Sequence, residues 1–237
     1  MKNPTKITQY KPISLSNIVS RIASKVLANR LKTFLPHIIS ENQSAFMTKR
    51  LITNNVLKAF ENMHHISQKK NGKVGEMALK LDMSKAYDWV EWECLENIML
   101  KMGFHRQWVD LMVRFFHSVG YSIKFNSKPW GVIHPTKGLH LGDPLLPHLF
   151  LSCAESLSAL IRQAVECGAI KGIAACATGP AISHLFFVDD SLIFGWAINE
   201  ECSNLITILE TYEQESSQQL NHDKTSLFFN PNTPQPV

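Results

Sequence analysis

The sequence has no apolar run long enough to cross a membrane. A membrane-spanning helix needs about 18 or more consecutive apolar residues, and the 237-residue chain contains no such run. Its first residues also lack the hydrophobic core of a secretory signal peptide. We therefore expect an intracellular protein, nuclear or cytoplasmic, that has no membrane partner.

The spacing typical of a zinc site is also missing. The five cysteines are scattered without a C-x-x-C pair, and the ten histidines show no i, i+4 pair beside an acidic residue. The chain has 24 Lys and Arg against 20 Asp and Glu, an excess that permits a polyanionic partner without requiring one. No metal is assigned to cysteine or histidine.

Two adjacent aspartates, Asp189 and Asp190, stand between two apolar runs. The runs at 185–188 and 192–196 predict a hairpin with the doublet at its turn. Neighbouring carboxylates repel each other and are tolerated where they are solvated or share cations. Because such a doublet by itself is more often ordinary turn chemistry, the functional interpretation needs a third carboxylate.

Asp82 is that third carboxylate. It follows an alternating strand pattern at 77–81 and precedes residues 83–88, which we expect to open a helix. Oxygen ligands with room for phosphates suit Mg²⁺, with Mn²⁺ as a substitute. Two such ions can activate a 3′ hydroxyl and stabilise leaving pyrophosphate. Three aspartates at neighbouring strand ends therefore predict nucleotidyl transfer.

The periodicity of the chain predicts an α+β protein with an antiparallel sheet and helices on one face, rather than a doubly wound parallel sheet. Helices are expected near 18–35, 54–68, 89–102, 107–118, 144–167 and 200–215. Strands are expected near 77–81, 121–125, 130–134, 185–188, 192–196 and 225–229. In the second helix we expect four apolar side chains to face inward: Val56, Ala59, Phe60 and Met63.

Five short motifs occur in order along the chain. They are Y-K-P-I-S-L at 10–15, N-Q-S-A-F at 42–46, L-D-M-S-K-A-Y-D at 81–88, the loop at 138–147 and F-V-D-D at 187–190. Together they resemble the reverse transcriptase of LINE-type (non-LTR) retrotransposons, particularly those of plants. The resemblance implies a right-hand polymerase without a thumb. Fingers would span 1–75, a ferredoxin-like palm 76–229 and a flexible tail 230–237.

The resemblance also implies the metal ligands. Asp82, Asp189 and Asp190 would be catalytic and would hold two Mg²⁺ ions, with the backbone carbonyl of Met83 as a further ligand. The implied activity is RNA-directed DNA polymerisation, which uses an RNA template, a DNA primer and deoxynucleoside triphosphates.

The same resemblance implies the nucleotide contacts. Tyr87 would lie under the incoming sugar and exclude a 2′ hydroxyl. Gly142 would contact template and nucleotide. Lys224 would approach the triphosphate, as would Arg50 or Lys11 from the fingers.

Four residues depart from the family's second palm motif. They are His140, Leu141, Leu146 and His148, which stand where Arg, Gln, Ser and Tyr are usual. Leu141 cannot make the amide hydrogen bonds that position the incoming nucleotide. We therefore expect weak or absent polymerase activity. A non-catalytic retrotransposon relic that at most binds nucleic acid is one alternative, and a group II intron or telomerase-like polymerase is another.

Overall fold

The computed structural model describes residues 15–139, 142–176, 178–231 and 233. The helices are α1 (Ile18–Ile38), α2 (Ile52–Gln68), α3 (Trp92–Lys101), α4 (Arg106–His117), α5 (Leu146–Glu166) and α6 (Asn199–Ser216). The strands are β1 (Gly75–Leu81), β2 (Tyr121–Phe125), β3 (Lys128–Ile133), β4 (His184–Phe187), β5 (Asp190–Ala197) and β6 (Ser226–Phe229). Among these residues, no helix is both long and apolar enough to cross a membrane.

Four of the strands form one antiparallel sheet in the order β4-β5-β1-β6. The four strands of this sheet and the two helices α5 and α6 occur along the chain in the order β1, α5, β4, β5, α6 and β6, with α3, α4, β2 and β3 between β1 and α5. This is the βαββαβ arrangement of a ferredoxin-like fold. Met77 and Leu81 of β1 pack in one cluster with apolar residues of α5 and α6. Both palm helices therefore cover the same face, and the expected α+β architecture is confirmed.

The opposite face of the sheet is covered in part by α2. Ile66 packs there in a cluster with β-strand residues, flanked by Ala59 and Met63. The prediction for Val56 and Phe60 is wrong, because they are 57% and 67% exposed. Phe60 lies about 100° around the helix from Ala59, away from the sheet.

In the first turn of α2 the inward position belongs to a polar residue. The side-chain amide of Asn55 donates to the backbone carbonyls of Asn42 (3.1 Å) and Phe186 (3.0 Å). Hydrogen bonds, not apolar contacts, therefore attach the start of α2 to β4.

The largest buried cluster joins α1, α3, α4 and the first half of α5. Helix α1 begins where the Asn17 side chain accepts a hydrogen bond from the Ser20 amide at 2.7 Å. It contributes Leu27, Leu31 and Leu35 to the cluster and continues past Pro36, where the periodicity predicted its end.

The segment after β1 differs from its prediction. Residues 84–89 form turns, not the opening of a helix, and α3 begins only at Trp92. Lys85 adopts a left-handed φ of 46°, and Met83 forms an isolated bridge with Leu220. A tertiary contact therefore overrides the local helix preference.

Two further boundaries also moved. Helix α5 begins at Leu146 with Pro147 in its first turn, not with Pro144, because the Asp143 carboxylate accepts the Leu145 amide at 2.8 Å in a side-chain turn. In the tail that we expected to be flexible, Asn230 is 3% exposed, and its backbone amide donates to the backbone carbonyl of Glu76 at 2.9 Å. Most of the remaining tail, residues 232 and 234–237, lies outside the described residues.

Candidate active site

The pairing of β1 with β5 brings Asp82 to the Asp doublet. The last pair of this antiparallel register joins Leu81 and Ser191, so Asp82, which follows Leu81, and Asp190, which precedes Ser191, lie at the same end of the two strands. On the other side of β5, Phe187 pairs with Asp190 and closes the two-residue turn that contains Asp189. The three carboxylates predicted from the sequence therefore share one end of the sheet.

These carboxylates are accessible to solvent. The Asp82 side chain is 26% exposed, and both residues of the doublet are exposed. Within the described ranges, no group of three or more His, Cys, Asp or Glu residues is arranged to hold a metal ion. The cation nearest to Asp82 is Lys224, whose Nζ lies 3.6 Å from Oδ1. The donor set is purely oxygen, which fits Mg²⁺, although the side chains do not converge into a cage.

The turn that carries the doublet is held by a buried glutamine. Val188 has a left-handed φ of 58°, a conformation that β-branched residues rarely adopt. The Gln43 Oε1 accepts the Val188 amide at 3.3 Å and the Ala45 amide at 2.9 Å. Next to it, the Phe186 amide donates to the Asn42 carbonyl at 2.8 Å. The motif at 42–46 pointed to this segment, but its bracing role is visible only in the structure.

A second brace holds the backbone around Asp82. The Asn221 amide donates to the Asp82 carbonyl at 2.8 Å, and the Ser84 amide donates to the Gln219 carbonyl at 2.8 Å. Neither bond uses the carbonyl of Met83, whose role as a metal ligand stays a prediction. The segment at 219–221, which the sequence had not singled out, thus fixes the residue that carries the first carboxylate.

Tyr87 lies between the core and the carboxylates. Its ring centroid is 4.6 Å from that of Phe150, at an interplanar angle of 44°. Burial, followed by the negative charge of Asp189, raises the pKa of Tyr87 to about 12. The phenol is therefore protonated at neutral pH and lies within electrostatic reach of the doublet.

The glycine loop packs against the same region. Gly138 has a φ of 91°, and a Cβ there would lie 3.0 Å from the Asp88 carbonyl oxygen, so close backbone approach requires glycine. Gly142 has a φ of 101°, which also favours glycine. Its contact with template and nucleotide stays a prediction, and His140 and Leu141 lie outside the described residues.

Arg50 faces the protein and not an open cleft. Its guanidinium donates to the backbone carbonyls of Ser40, Gln43 (2.7 Å) and Ile39 (2.9 Å). These bonds satisfy carbonyls at and after the end of α1, and they give no support to the predicted triphosphate contact. Lys11, the alternative, lies outside the described residues.

A ferredoxin-like sheet with three aspartates at one end of its strands is the architecture of a polymerase palm. The chain belongs to the reverse transcriptase (RNA-dependent DNA polymerase) family, which matches residues 1–235.

Two curated relatives share parts of the sequence. An uncharacterized mitochondrial protein of Arabidopsis thaliana is 45% identical over 71 residues, which cover 30% of this chain and 58% of that protein. An uncharacterized 149 kDa protein of the transposon TX1 of Xenopus laevis is 27% identical over 160 residues, 66% of this chain and 12% of that protein. The matched part is thus less than two thirds of either relative.

Solved telomerase structures share the fold. The telomerase of Candida albicans, in complex with a fragment of telomeric RNA, aligns with a TM-score of 0.57 at 13% identity over 92% of this chain and 35% of that one. A truncated apo telomerase of Candida tropicalis aligns with a TM-score of 0.54 at 12% identity over 90% of this chain and 40% of that one. At such identity the likeness shows the fold alone.

Proposed function

We propose that the chain is the RNA-directed DNA polymerase domain of a LINE-type retrotransposon of the plant kind. The observation that carries the proposal is the strand register that brings Asp82 beside Asp189 and Asp190. The transposon relative in Xenopus supports a mobile element, and the relative in Arabidopsis supports the plant kind. The telomerase likeness does not discriminate between LINE-type and telomerase-like enzymes, because it concerns only the fold.

Asp82, Asp189 and Asp190 would hold two Mg²⁺ ions, or Mn²⁺ as a substitute. When bound, such ions would lower the barrier for attack of a primer 3′ hydroxyl on a deoxynucleoside triphosphate. The protein's own part is to keep the three carboxylates at one sheet end, through Gln43 on the doublet side and Asn221 on the Asp82 side. Removing either brace would misplace a carboxylate without removing its charge.

Lys224 would exchange partners as substrate binds. In the structure its ammonium group lies beside Asp82, where it offsets negative charge. It is 67% exposed, so it is free to turn toward a triphosphate once Asp82 has another cation. Tyr87, supported by Phe150, would present the flat ring on which the sugar of the nucleotide rests.

The division into fingers and palm follows the same proposal. Residues 1–75 would form the fingers-like part and 76–229 the palm, a boundary that coincides with the start of β1 at Gly75. The two parts share packing, because Ile66 of α2 lies against the palm sheet. We therefore expect them to unfold together.

We further propose that activity is weak. Leu141 lacks the amide that would align the nucleotide, and alignment supplies a large share of phosphoryl-transfer catalysis. Leu146, another departure, is 6% exposed at the start of α5 and belongs to the largest buried cluster. It is well accommodated in that cluster. The lost glutamine at residue 141 is the main expected defect because its amide would position the nucleotide.

Primer extension on an RNA template with Mg²⁺ and deoxynucleotides tests the proposal. Incorporation by the wild-type chain should disappear in the Asp189→Ala, Asp190→Ala double variant. The matched control is Asp110→Ala, which removes a carboxylate from α4 that pairs with Arg106 at 2.8 Å. In the same assay Leu141→Gln should increase incorporation, because it restores the amide.

The outcomes separate the candidate functions. Incorporation that survives in the double variant refutes the metal-site assignment. If the folded wild-type chain and Leu141→Gln both lack incorporation, the proposed activity is wrong and the relic that only binds nucleic acid is supported. More incorporation on an RNA template than on a DNA template of the same sequence supports a reverse transcriptase over a general DNA polymerase.

A further inference from the structure

The hairpin of β2 and β3, hereafter the ribbon, lies outside the buried core. Among the described residues, its two strands pair with each other in a sheet separate from the four-stranded one. Every residue at 122–133 is exposed, and no ribbon side chain belongs to the three buried clusters. Core packing therefore does not explain the apolar residues that the ribbon carries.

The register of the ribbon gathers aromatic rings on one face. Trp130 lies opposite Ile123, and Lys128 lies opposite Phe125. Directly opposed residues of antiparallel strands point to the same side, so these four side chains share a face. Phe125 is 65% exposed and Trp130 is 62% exposed. The other four tryptophans are buried or half-buried.

The ribbon is also free of negative charge. The sequence from residue 111 to residue 142 contains neither Asp nor Glu. Lys124 and Lys128 are exposed on the two strands. The next lysine, Lys137, is used differently, since it pairs with Glu91 at 3.2 Å. The ribbon thus combines exposed rings with two ammonium groups that have no carboxylate in their own strands.

This chemistry selects one class of partner. Lysine is depleted from the cores of protein interfaces, whereas single-stranded nucleic acid is bound by aromatic rings that stack on unpaired bases and by cations that contact phosphates. The bases of a duplex are stacked on each other and cannot cover a ring from outside. Lysines beside exposed rings therefore favour a single strand over both a protein and a duplex.

We propose that the ribbon binds single-stranded nucleic acid. Unpaired bases stack on Phe125 and Trp130, and Lys128, which shares their face, contacts the phosphates of the strand. Lys124 lies opposite Pro129 on the other face of the ribbon. Asn126 and Ser127, with φ of 46° and 64°, form the tight turn that joins the two strands and keeps the rings in register. The binding needs neither a metal ion nor the carboxylates, so it goes beyond the proposed polymerase function.

Fluorescence anisotropy with labelled 12-nucleotide DNA, the same RNA sequence and a 12-base-pair duplex measures the binding. The Phe125→Ala, Trp130→Ala variant should weaken single-strand binding about tenfold or more, because each stacked base contributes substantially to affinity. The Lys128→Ala variant should reduce the slope of log K against the logarithm of salt concentration by about 0.7, the value for one lost phosphate contact, whereas Lys124→Ala should leave the slope unchanged. The DNA and RNA arms show which strand is preferred.

The matched control removes a ring and a lysine from α2. Phe60 is 67% exposed and stacks on His64 with ring centroids 6.1 Å apart, and Lys58, two residues earlier in the same helix, is also exposed. The Lys58→Ala, Phe60→Ala variant should bind as the wild-type chain does. Far-UV circular dichroism checks that every variant is folded, which we expect because all the substituted side chains are exposed.

Several results would overturn the inference. One is equal single-strand affinity of the ring variant and the wild-type chain, and another is duplex binding as tight as single-strand binding. A third is a ring variant that loses only self-association, which would make the ribbon a protein interface. The Asp189→Ala, Asp190→Ala variant should still bind, and loss of binding there would assign the strand to the carboxylate cleft. The binding assay does not depend on catalysis. If the chain proves to have no polymerase activity, the binding assay still tests the ribbon.

Discussion

The C-terminal end of α6 offers a prediction that separates backbone strain from side-chain effects. Ser217 follows the helix in the left-handed conformation, with φ of 56° and ψ of 10°. A residue with a Cβ loses about 1 kcal/mol in this conformation relative to glycine. The Ser217→Gly variant should therefore be more stable by about 1 kcal/mol, which corresponds to an increase in Tm of roughly 2–4 °C for a chain of this size.

The same substitution inside α6 should have the opposite effect. Ser203 is exposed within the helix, where the helix propensity of glycine is about 0.5 kcal/mol worse than that of serine. Ser203→Gly should therefore lower Tm by roughly 1–2 °C. Thermal unfolding followed by circular dichroism compares both variants with the wild-type chain. A Ser217→Gly variant that is destabilised as much as Ser203→Gly would refute the argument from backbone conformation.

This turn also matters for the candidate site. Within four residues of Ser217 the chain reaches Gln219 and Asn221, whose backbone groups hydrogen-bond to Ser84 and Asp82 on either side of Met83. A strained turn is thus located next to the segment that positions a carboxylate. The stabilised variant should keep its activity, because glycine adopts the observed conformation without moving these residues.

Two other predictions concern buried polar groups. The Gln43→Ala variant loses the acceptor of the Val188 and Ala45 amides. Because unpaired buried donors are costly, the free energy of unfolding measured by urea titration should fall by about 2 kcal/mol or more. An unchanged midpoint of the urea titration would contradict the bracing role. Burial, followed by the charge of Arg162, lowers the pKa of His184 from 6.5 to about 4. The stability that this group contributes is present above pH 6.5 and is lost as the pH falls toward 4, by up to about 3 kcal/mol. The His184→Asn variant should lose less stability between pH 6.5 and 4.5, and equal losses in variant and wild type would exclude His184 as the cause.

Prediction from sequence worked best where structure depends on local pattern. Each of the predicted helices and strands exists, within a few residues, because alternation and helical periodicity report on local backbone geometry. The observed turn at Asn126 and Ser127 falls between the strands predicted near 121–125 and 130–134. The misplaced boundaries are those that tertiary contacts set, as at residues 83–89, where Met83 pairs with the distant Leu220.

Burial was predicted less well than secondary structure. Val56 and Phe60 have helical spacing but are exposed, because periodicity shows that a helix has an apolar face without showing which part of that face meets a partner. The hydrogen bonds of Arg50 illustrate a related limit for charged groups. Its guanidinium donates to backbone carbonyls that no sequence pattern indicates, and its triphosphate contact, implied by the family resemblance, stays a prediction.

The sequence by itself determined the α+β class, the order of the elements, and the three aspartates with the types of residue around them. Only the tertiary structure decided that Asp82 and Asp190 lie at the same end of the paired strands, that Gln43 and Asn221 brace the two sides of the site, and that Lys224 lies beside Asp82. The physical reason is the range of the interactions. Propensity and periodicity act over a few residues, whereas strand register between β1 and β5 joins positions about a hundred residues apart and is fixed by the packing of both sheet faces.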